Sequence, residues 1–289
     1  MLPMQDTVPT SLGLIAGKGA YPLLLAESAK QHGVERLVAV AFKKETNPRI
    51  DALVDESHWL NLGQLSRLLE VFTASQVKHA VMAGQITPTH LFHVRMDTAM
   101  LDLLKHLRHR NAETIFGALA DKLKTIGVEL LPASSFMANH IPSAGLLSAR
   151  EPSAIERSDI SIGIETARVT SGLDIGQTVA IKEGTILAVE AFEGTDAAIR
   201  RAGKLGGVGC VIVKIAKKSH DMRFDIPVIG DRTMTTLRKA KAGVLAIEAG
   251  RCILLDRVKL IEMADTIGLS LIVVDPGAFG QDSNFGRDG

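Results

Sequence analysis

Residues 12–32, LGLIAGKGAYPLLLAESAKQH, decide the fold. Leu12–Ala16 is an apolar run of strand length, and from about Tyr21 to His32 the pattern becomes helical. Between them, Gly17-Lys18-Gly19 forms a tight strand-to-helix turn. Its amides can cradle a phosphate at the helix N-terminus, with Lys18 adding charge. It is not a complete dinucleotide fingerprint, because Pro22 stands where the third glycine belongs, and no Walker pattern occurs in the chain. A tight turn without any ligand accounts for the same glycines.

Outward from this unit the alternation continues: Leu37–Phe42, a helix from Gln64 to Ser75, then His79–Ala83. This is the rhythm of a parallel sheet with crossover helices. Met100, Leu101, Leu104 and Leu107 recur at helical spacing, as do Ile115, Leu119 and Leu123, before a last strand at Val128–Leu131. The expected fold is α/β, with a Rossmann-like parallel-sheet domain over residues 1–135. Gly84 and Gln85 end a strand of that domain at the carboxyl edge, where open α/β sheets bind ligands, so they are expected to share a crevice with Gly17–Gly19.

From Pro132 to Pro152 the period dissolves into a stretch with three prolines, four serines and one glycine. Residues 136–152 read as a linker. Ser153-Ala-Ile-Glu156 is a capping box that starts a helix running to about Ser171. Thr178–Lys182 and Ile186–Ala191 flank a Glu-Gly turn as a hairpin, followed by a helix from Thr195 to Leu205 and a strand at Cys210–Lys214. A helix at Thr233–Ala242, strands at Val244–Glu248 and Cys252–Leu255, a helix at Val258–Ile267 and a strand at Leu271–Val274 complete a second α/β domain over 153–289. Its tail reads as disordered from about residue 276.

The chain has 289 residues, 46% apolar and 22% charged, enough for two ordinary domains. Thirty-three basic residues balance 32 acidic ones, which argues against a nucleic-acid partner bound through a broad basic surface. The two cysteines, Cys210 and Cys252, lie in apolar runs and make no disulfide framework, which suggests a reducing compartment. No run of about 18 apolar residues occurs and the N-terminus lacks a signal-peptide pattern, so a cytoplasmic location is expected. Peripheral contact with a membrane remains compatible with that location. The aliphatic richness suggests a homodimer.

The chemistry concentrates in KIAKKSHDMRFDIPVIG, residues 214–230, which follows an apolar strand ending in Lys214. In an extended segment Asp221, Arg223 and Asp225 would project to one face, joining cation-binding acids to a phosphate-binding guanidinium. Four extended residues span roughly 13 Å, too far for both aspartates to hold one small cation unless the backbone bends. Asp225 is the better ligand, because Pro227 biases Ile226 towards an extended conformation and the residues after it look packed. The plainer reading is a solvated loop whose acids pair with Arg223, Lys217 and Lys218.

Glu193-Gly194-Thr195-Asp196 is a second strand-to-helix turn, in which Thr195 can cap the helix and the amides can meet an anion, with Arg200 and Arg201 one turn on. His90 with His93, and His106 with His109, have spacing that metal ligands use, but the second pair sits among cations on a polar helix face. No nucleophile elbow and no reactive-looking cysteine supports covalent acyl transfer.

VEAFEGTDAAIRRAG at 189–203 and VIVKIAKKSHDMRFDIPVIG at 211–230, together with LGLIAGKGAYP at 12–22 and AIEAG at 246–250, carry a resemblance. The chain resembles the UDP-2,3-diacylglucosamine pyrophosphatases of lipid A biosynthesis, in the metal-dependent family unrelated to calcineurin-like phosphoesterases. The resemblance runs from about Leu12 to Val274. It implies a cytoplasmic Gram-negative enzyme, with which peripheral contact at the inner membrane is compatible, that binds its lipid-linked nucleotide between two domains. The implied reaction is hydrolysis to UMP and 2,3-diacylglucosamine 1-phosphate by water attack on the β-phosphorus, with magnesium or manganese. Asp225 matches the family's catalytic carboxylate. His220 stands where glutamine is expected, and Gln85 where lysine is expected.

On this reading Asp225, Lys214 and Arg223 are the catalytic residues, with Asp225 and Asp221 as metal ligands. The substrate-binding set is Gly17, Lys18, Gly19, Gly84, Gln85, Glu193, Gly194, Thr195, Asp196 and Arg200. Two other functions fit parts of the sequence: a nicotinamide-dependent oxidoreductase resting on Gly17–Gly19, and a non-catalytic module that binds a nucleotide-lipid.

Overall fold

The computed structural model describes residues 8–86, 95–109, 112–217, 221–224 and 226–277. They form two compact units, the first running to Ala138 and including the distant segment 221–224, the second comprising the remainder.

In the first unit the elements are β1 (Ser11–Ala16), α1 (Tyr21–Gln31), β2 (Arg36–Phe42), β3 (Glu56–Leu60), α2 (Leu65–Ala74), β4 (His79–Ala83), α3 (Thr98–Lys105), α4 (Ala112–Thr125) and β5 (Glu129–Leu130). The sheet has five strands in the order β3-β2-β1-β4-β5, all parallel. Because the order reverses beside β1, the topological switch point lies between β1 and β4. β1 and β2 are buried on both faces, which is why they read as continuous aliphatic runs. Ile15, Val38, Val40, Phe72 and Leu123 are in the core of this unit. β3 departs from the sequence reading. ESHWL lacks an apolar run, yet it pairs with β2 as the edge strand, where a half-exposed position accepts polar side chains.

The second unit contains β6 (Gly145–Leu146), α5 (Ala154–Gly172), β7 (Thr178–Lys182), β8 (Thr185–Val189), α6 (Thr195–Gly206), β9 (Val211–Lys214), β10 (Val228–Ile229), α7 (Asp231–Ala240), β11 (Val244–Glu248), β12 (Ile253–Leu254), α8 (Arg257–Thr266) and β13 (Ser270–Val274). Six strands pair in the order β6-β13-β11-β9-β7-β8. β13, β11 and β9 are parallel, while β6 and the β7–β8 hairpin run antiparallel at the two edges. β10 and β12 form a separate parallel pair.

Ile160, Ile164 and Ala167 of α5 pack on one face of this sheet against Val179, Ile181, Val211 and Val213. α5 starts as its sequence dictates: Ser153 Oγ accepts from the Glu156 amide at 3.3 Å, and Glu156 accepts from the Ser153 amide at 2.8 Å. Cys210 and Cys252 are free and buried. Burial pushes both thiols up, Cys252 to about 12. Among the described residues, no helix is long and apolar enough to cross a membrane.

Candidate functional site

At the switch point of the first unit the two glycine turns meet. Gly17 donates to the Ala83 carbonyl at 2.8 Å, and Lys18 and Gln85 exchange backbone hydrogen bonds of 2.8 and 3.0 Å. The approach is close enough that a Cβ on Gly17 would lie 2.8 Å from the Gln85 carbonyl oxygen. A Cβ on Gly84, whose φ is +90°, would lie 2.8 Å from the Lys18 carbonyl oxygen. Gly17 and Gly84 are therefore required by backbone contact. The same contact occupies the Gly17 and Lys18 amides that the sequence reading offered to a phosphate. The donors left at this turn belong to Gly19 and the first turn of α1, whose N-cap Ala20 supplies no side-chain cap. Lys18 and Gly19 are exposed.

The segment 221–224 adds charge to this unit. It is not extended: the Phe224 amide donates to the Asp221 carbonyl at 3.2 Å, closing a turn. Asp221 Oδ1 accepts from the Arg223 amide at 3.1 Å and from its Nε at 2.8 Å, an Asx-type arrangement that fixes the guanidinium edge. The side-chain hydrogen bond from Arg223 holds the Asp221 carboxyl below its ordinary range, and Asp221 in turn pushes Arg223 up. The shared face expected for Asp221, Arg223 and Asp225 is thus replaced, for the first two, by a local ion pair. Asp225 lies outside the described residues, as do His90, His93 and the tail from residue 278.

Two contacts dock this turn on the first unit. Ala133 donates to the Met222 carbonyl at 2.6 Å, and the Tyr21 hydroxyl, a neutral phenol pushed up by burial, donates to the Ala133 carbonyl. Phe224 packs on Phe116 of α4, with ring centroids 5.7 Å apart. Tyr21, Ala133 and Met222 thereby connect the start of α1 to the Arg223 turn. Sequence reasoning did not single out any of these three.

In the second unit Lys214, at the carboxyl end of β9, is buried. Its ammonium donates to Thr195 Oγ1 at 2.9 Å and Thr178 Oγ1 at 3.2 Å, and lies 3.8 Å from Glu190 Oε2. Thr195 Oγ1 donates to Glu190 Oε1 at 2.8 Å. Burial raises the Glu190 pKa, but Lys214 and the two threonine hydroxyls outweigh it and hold the carboxyl below the ordinary glutamate range. Thr195 therefore does not cap α6. Gly194, with φ +81°, occupies the N-cap, and the hydroxyl serves the lysine cluster. Beside β9, Glu248 Oε2 accepts from the Ala216 amide at 2.7 Å, fixing the chain where it leaves the sheet. Glu190, Thr178 and Glu248 were missed in the sequence. VEAFEG gave a signal for Glu190, since a carboxylate ends a strand beside a helix start.

Other expected residues lie apart from this cluster. Glu193 pairs with Arg201 at 3.0 Å, and Asp196 with Arg232 at 2.5 Å. Arg200 lines an open cleft between α6 and α7 with Asp231, Arg232 and Lys239, about 410 Å³ in volume. Among the described residues no group of three His, Cys, Asp or Glu side chains could hold a metal. Magnesium needs only one or two protein carboxylates, and the oxygen donors of Asp225 and Asp221 are of the type it takes, although Asp221 is already engaged by Arg223.

A doubly wound domain followed by a second α/β unit, each with polar groups where its parallel strands end, defines a two-domain α/β protein with ligand-type sheet edges. Residues 11–140 match the LpxI N-terminal domain and residues 143–272 the LpxI C-terminal domain. The chain is 30% identical over 279 residues to the UDP-2,3-diacylglucosamine pyrophosphatase LpxI of Caulobacter vibrioides (strain ATCC 19089 / CIP 103742 / CB 15), covering 92% of this chain and 98% of that protein. The chain belongs to the LpxI family.

Solved biotin carboxylase structures are more distant. The biotin carboxylase subunit of pyruvate carboxylase shares 13% identity at a TM-score of 0.26, with 63% of this chain and 38% of that one covered. The biotin carboxylase domain of the Hydrogenobacter thermophilus 2-oxoglutarate carboxylase shares 13% at 0.27, covering 67% and 40%. The chain spans about two fifths of the length of those carboxylases.

Proposed function

We propose that this chain hydrolyses the pyrophosphate of UDP-2,3-diacylglucosamine, releasing UMP and 2,3-diacylglucosamine 1-phosphate in lipid A biosynthesis. The observation that carries this reading is the 30% identity to the Caulobacter pyrophosphatase over 98% of its length. The enzyme acts in the cytoplasm, at the inner-membrane face where a lipid-linked nucleotide is available, and works as a homodimer.

Cleavage requires water to approach a diphosphate whose oxygens repel it. Asp225, with Asp221 nearby in sequence, would hold a magnesium ion, which when bound would neutralise that charge. Arg223, oriented by Asp221, faces the phosphoryl oxygens as charge develops on them. Lys214 stabilises the departing phosphate, its ammonium held in one direction by Thr178 and Thr195. In the first unit the uncapped first turn of α1, with Lys18 and Gly19, offers donors to polar groups of the substrate.

The test is UMP release from UDP-2,3-diacylglucosamine with magnesium and after chelation. Release that depends on the metal is expected, and no release by the native chain under conditions where the ligand binds would overturn the reading. Asp225→Asn is expected to lower turnover at least about a hundredfold with an unchanged melting temperature. Retention of most activity would transfer its role to Asp221.

A further inference from the structure

A narrow apolar slot lies on the carboxyl edge of the first unit's sheet. Its floor is built where successive strands end: Ile15 near the end of β1, Phe42 closing β2, Leu62 just past β3 and Ile86 just past β4. α3 and α4 roof it with Met100 and Phe116. The space between its walls, open mouth included, is about 510 Å³, of which only about 40 Å³ admits the centre of a water-sized sphere. Its walls are hydrocarbon, so the space accepts methylene groups and offers almost no partner to the hydroxyls of a sugar or the polar edge of a base. Gln64 reaches it, but its Oε1 accepts from the Asn61 amide at 2.7 Å and so is turned to the backbone.

Two features distinguish the slot from a flaw in packing. It occupies the edge and switch-point region where sheets of this order take ligands, and Ile86 follows directly on the Gly84–Gln85 turn. Phe116 in its roof also carries Phe224, the neighbour of Arg223, so the side chain that walls the slot also anchors the turn assigned to the phosphates.

We propose that this slot holds one fatty acyl chain of the substrate and sets the chain length the enzyme accepts. The inference rests on the proposed reaction, because a diacylated sugar supplies the occupant. Each methylene that leaves the slot for water weakens binding about fourfold.

The experiment measures UMP release by the full-length protein on substrates with progressively shorter acyl chains, for the native chain and for Met100→Trp, which fills the slot from its roof. The native chain should lose about fourfold in kcat/KM per methylene removed. Met100→Trp should raise KM for the longest substrate at least about tenfold, keep kcat on the shortest, and melt no lower. A higher melting temperature with an unchanged chain-length profile would show a packing void and overturn the proposal. Should Met100→Trp fail to fold, Leu119→Phe, from α4, makes the same comparison. If the native chain releases no UMP from any substrate, the proposed reaction fails, and the slot is then judged with a fluorescent long-chain fatty acid. Binding to the native chain that the filling variant abolishes sustains the slot, and equal binding or none overturns it.

Discussion

Where β1 and β4 run out in the first unit, the chain presents backbone and hydrocarbon: two glycine turns locked together and an apolar slot beside them. Where β9 runs out in the second, it buries an ammonium against a carboxylate and two hydroxyls. Both are carboxyl edges of parallel strands, yet the first is shaped by steric fit and the second by charge. Steric fit tolerates no added atom, whereas charge tolerates no lost partner.

The largest effect should come from Lys214→Met, which leaves Glu190 charged and buried without its cation. It should lose about 3–5 kcal/mol in urea unfolding as well as turnover. Adding Glu190→Leu should recover much of the stability but none of the turnover. Native stability in Lys214→Met would break the contrast. Next is Gly84→Ala, whose Cβ meets the Lys18 carbonyl oxygen at 2.8 Å in a positive-φ backbone. It should cost about 2–3 kcal/mol, and an unchanged melting temperature would show that the turns can part.

The smallest effect is acid dependence. The Glu190 pKa is depressed on folding, so its stabilisation is present above the ordinary glutamate range and is lost as pH falls through the lower folded value. The stability gap between the native chain and Glu190→Gln should therefore narrow as pH falls through and below the ordinary glutamate range. A constant gap would remove Glu190 from the charge-held edge.

Sequence pattern revealed what local rules determine. β4 and β7 have the expected ends, and the Ser153–Glu156 capping box closes as its residue types require. β6 and β10 have two residues each, too few for a period, and arise from pairing with partners that the local sequence does not name, whereas β12 falls inside the strand expected at Cys252–Leu255. The Asp221–Arg223 turn was legible in principle, since an aspartate two residues before an amide favours an Asx-turn over an extended run. Thr195 shows the opposite case. Its place before a helix suggests a cap, but the hydroxyl went to Lys214 and Glu190, residues that only the folded sheet brings near.

The state of the two native cysteines has a practical consequence. With Cys210 and Cys252 buried and their thiols pushed up, almost no thiolate is presented to a reagent at neutral pH. A cysteine introduced at Leu101, exposed on α3 beside Met100, would thus take a maleimide dye selectively. Its emission would follow the entry of hydrocarbon under the neighbouring helix in real time, in the otherwise unaltered protein.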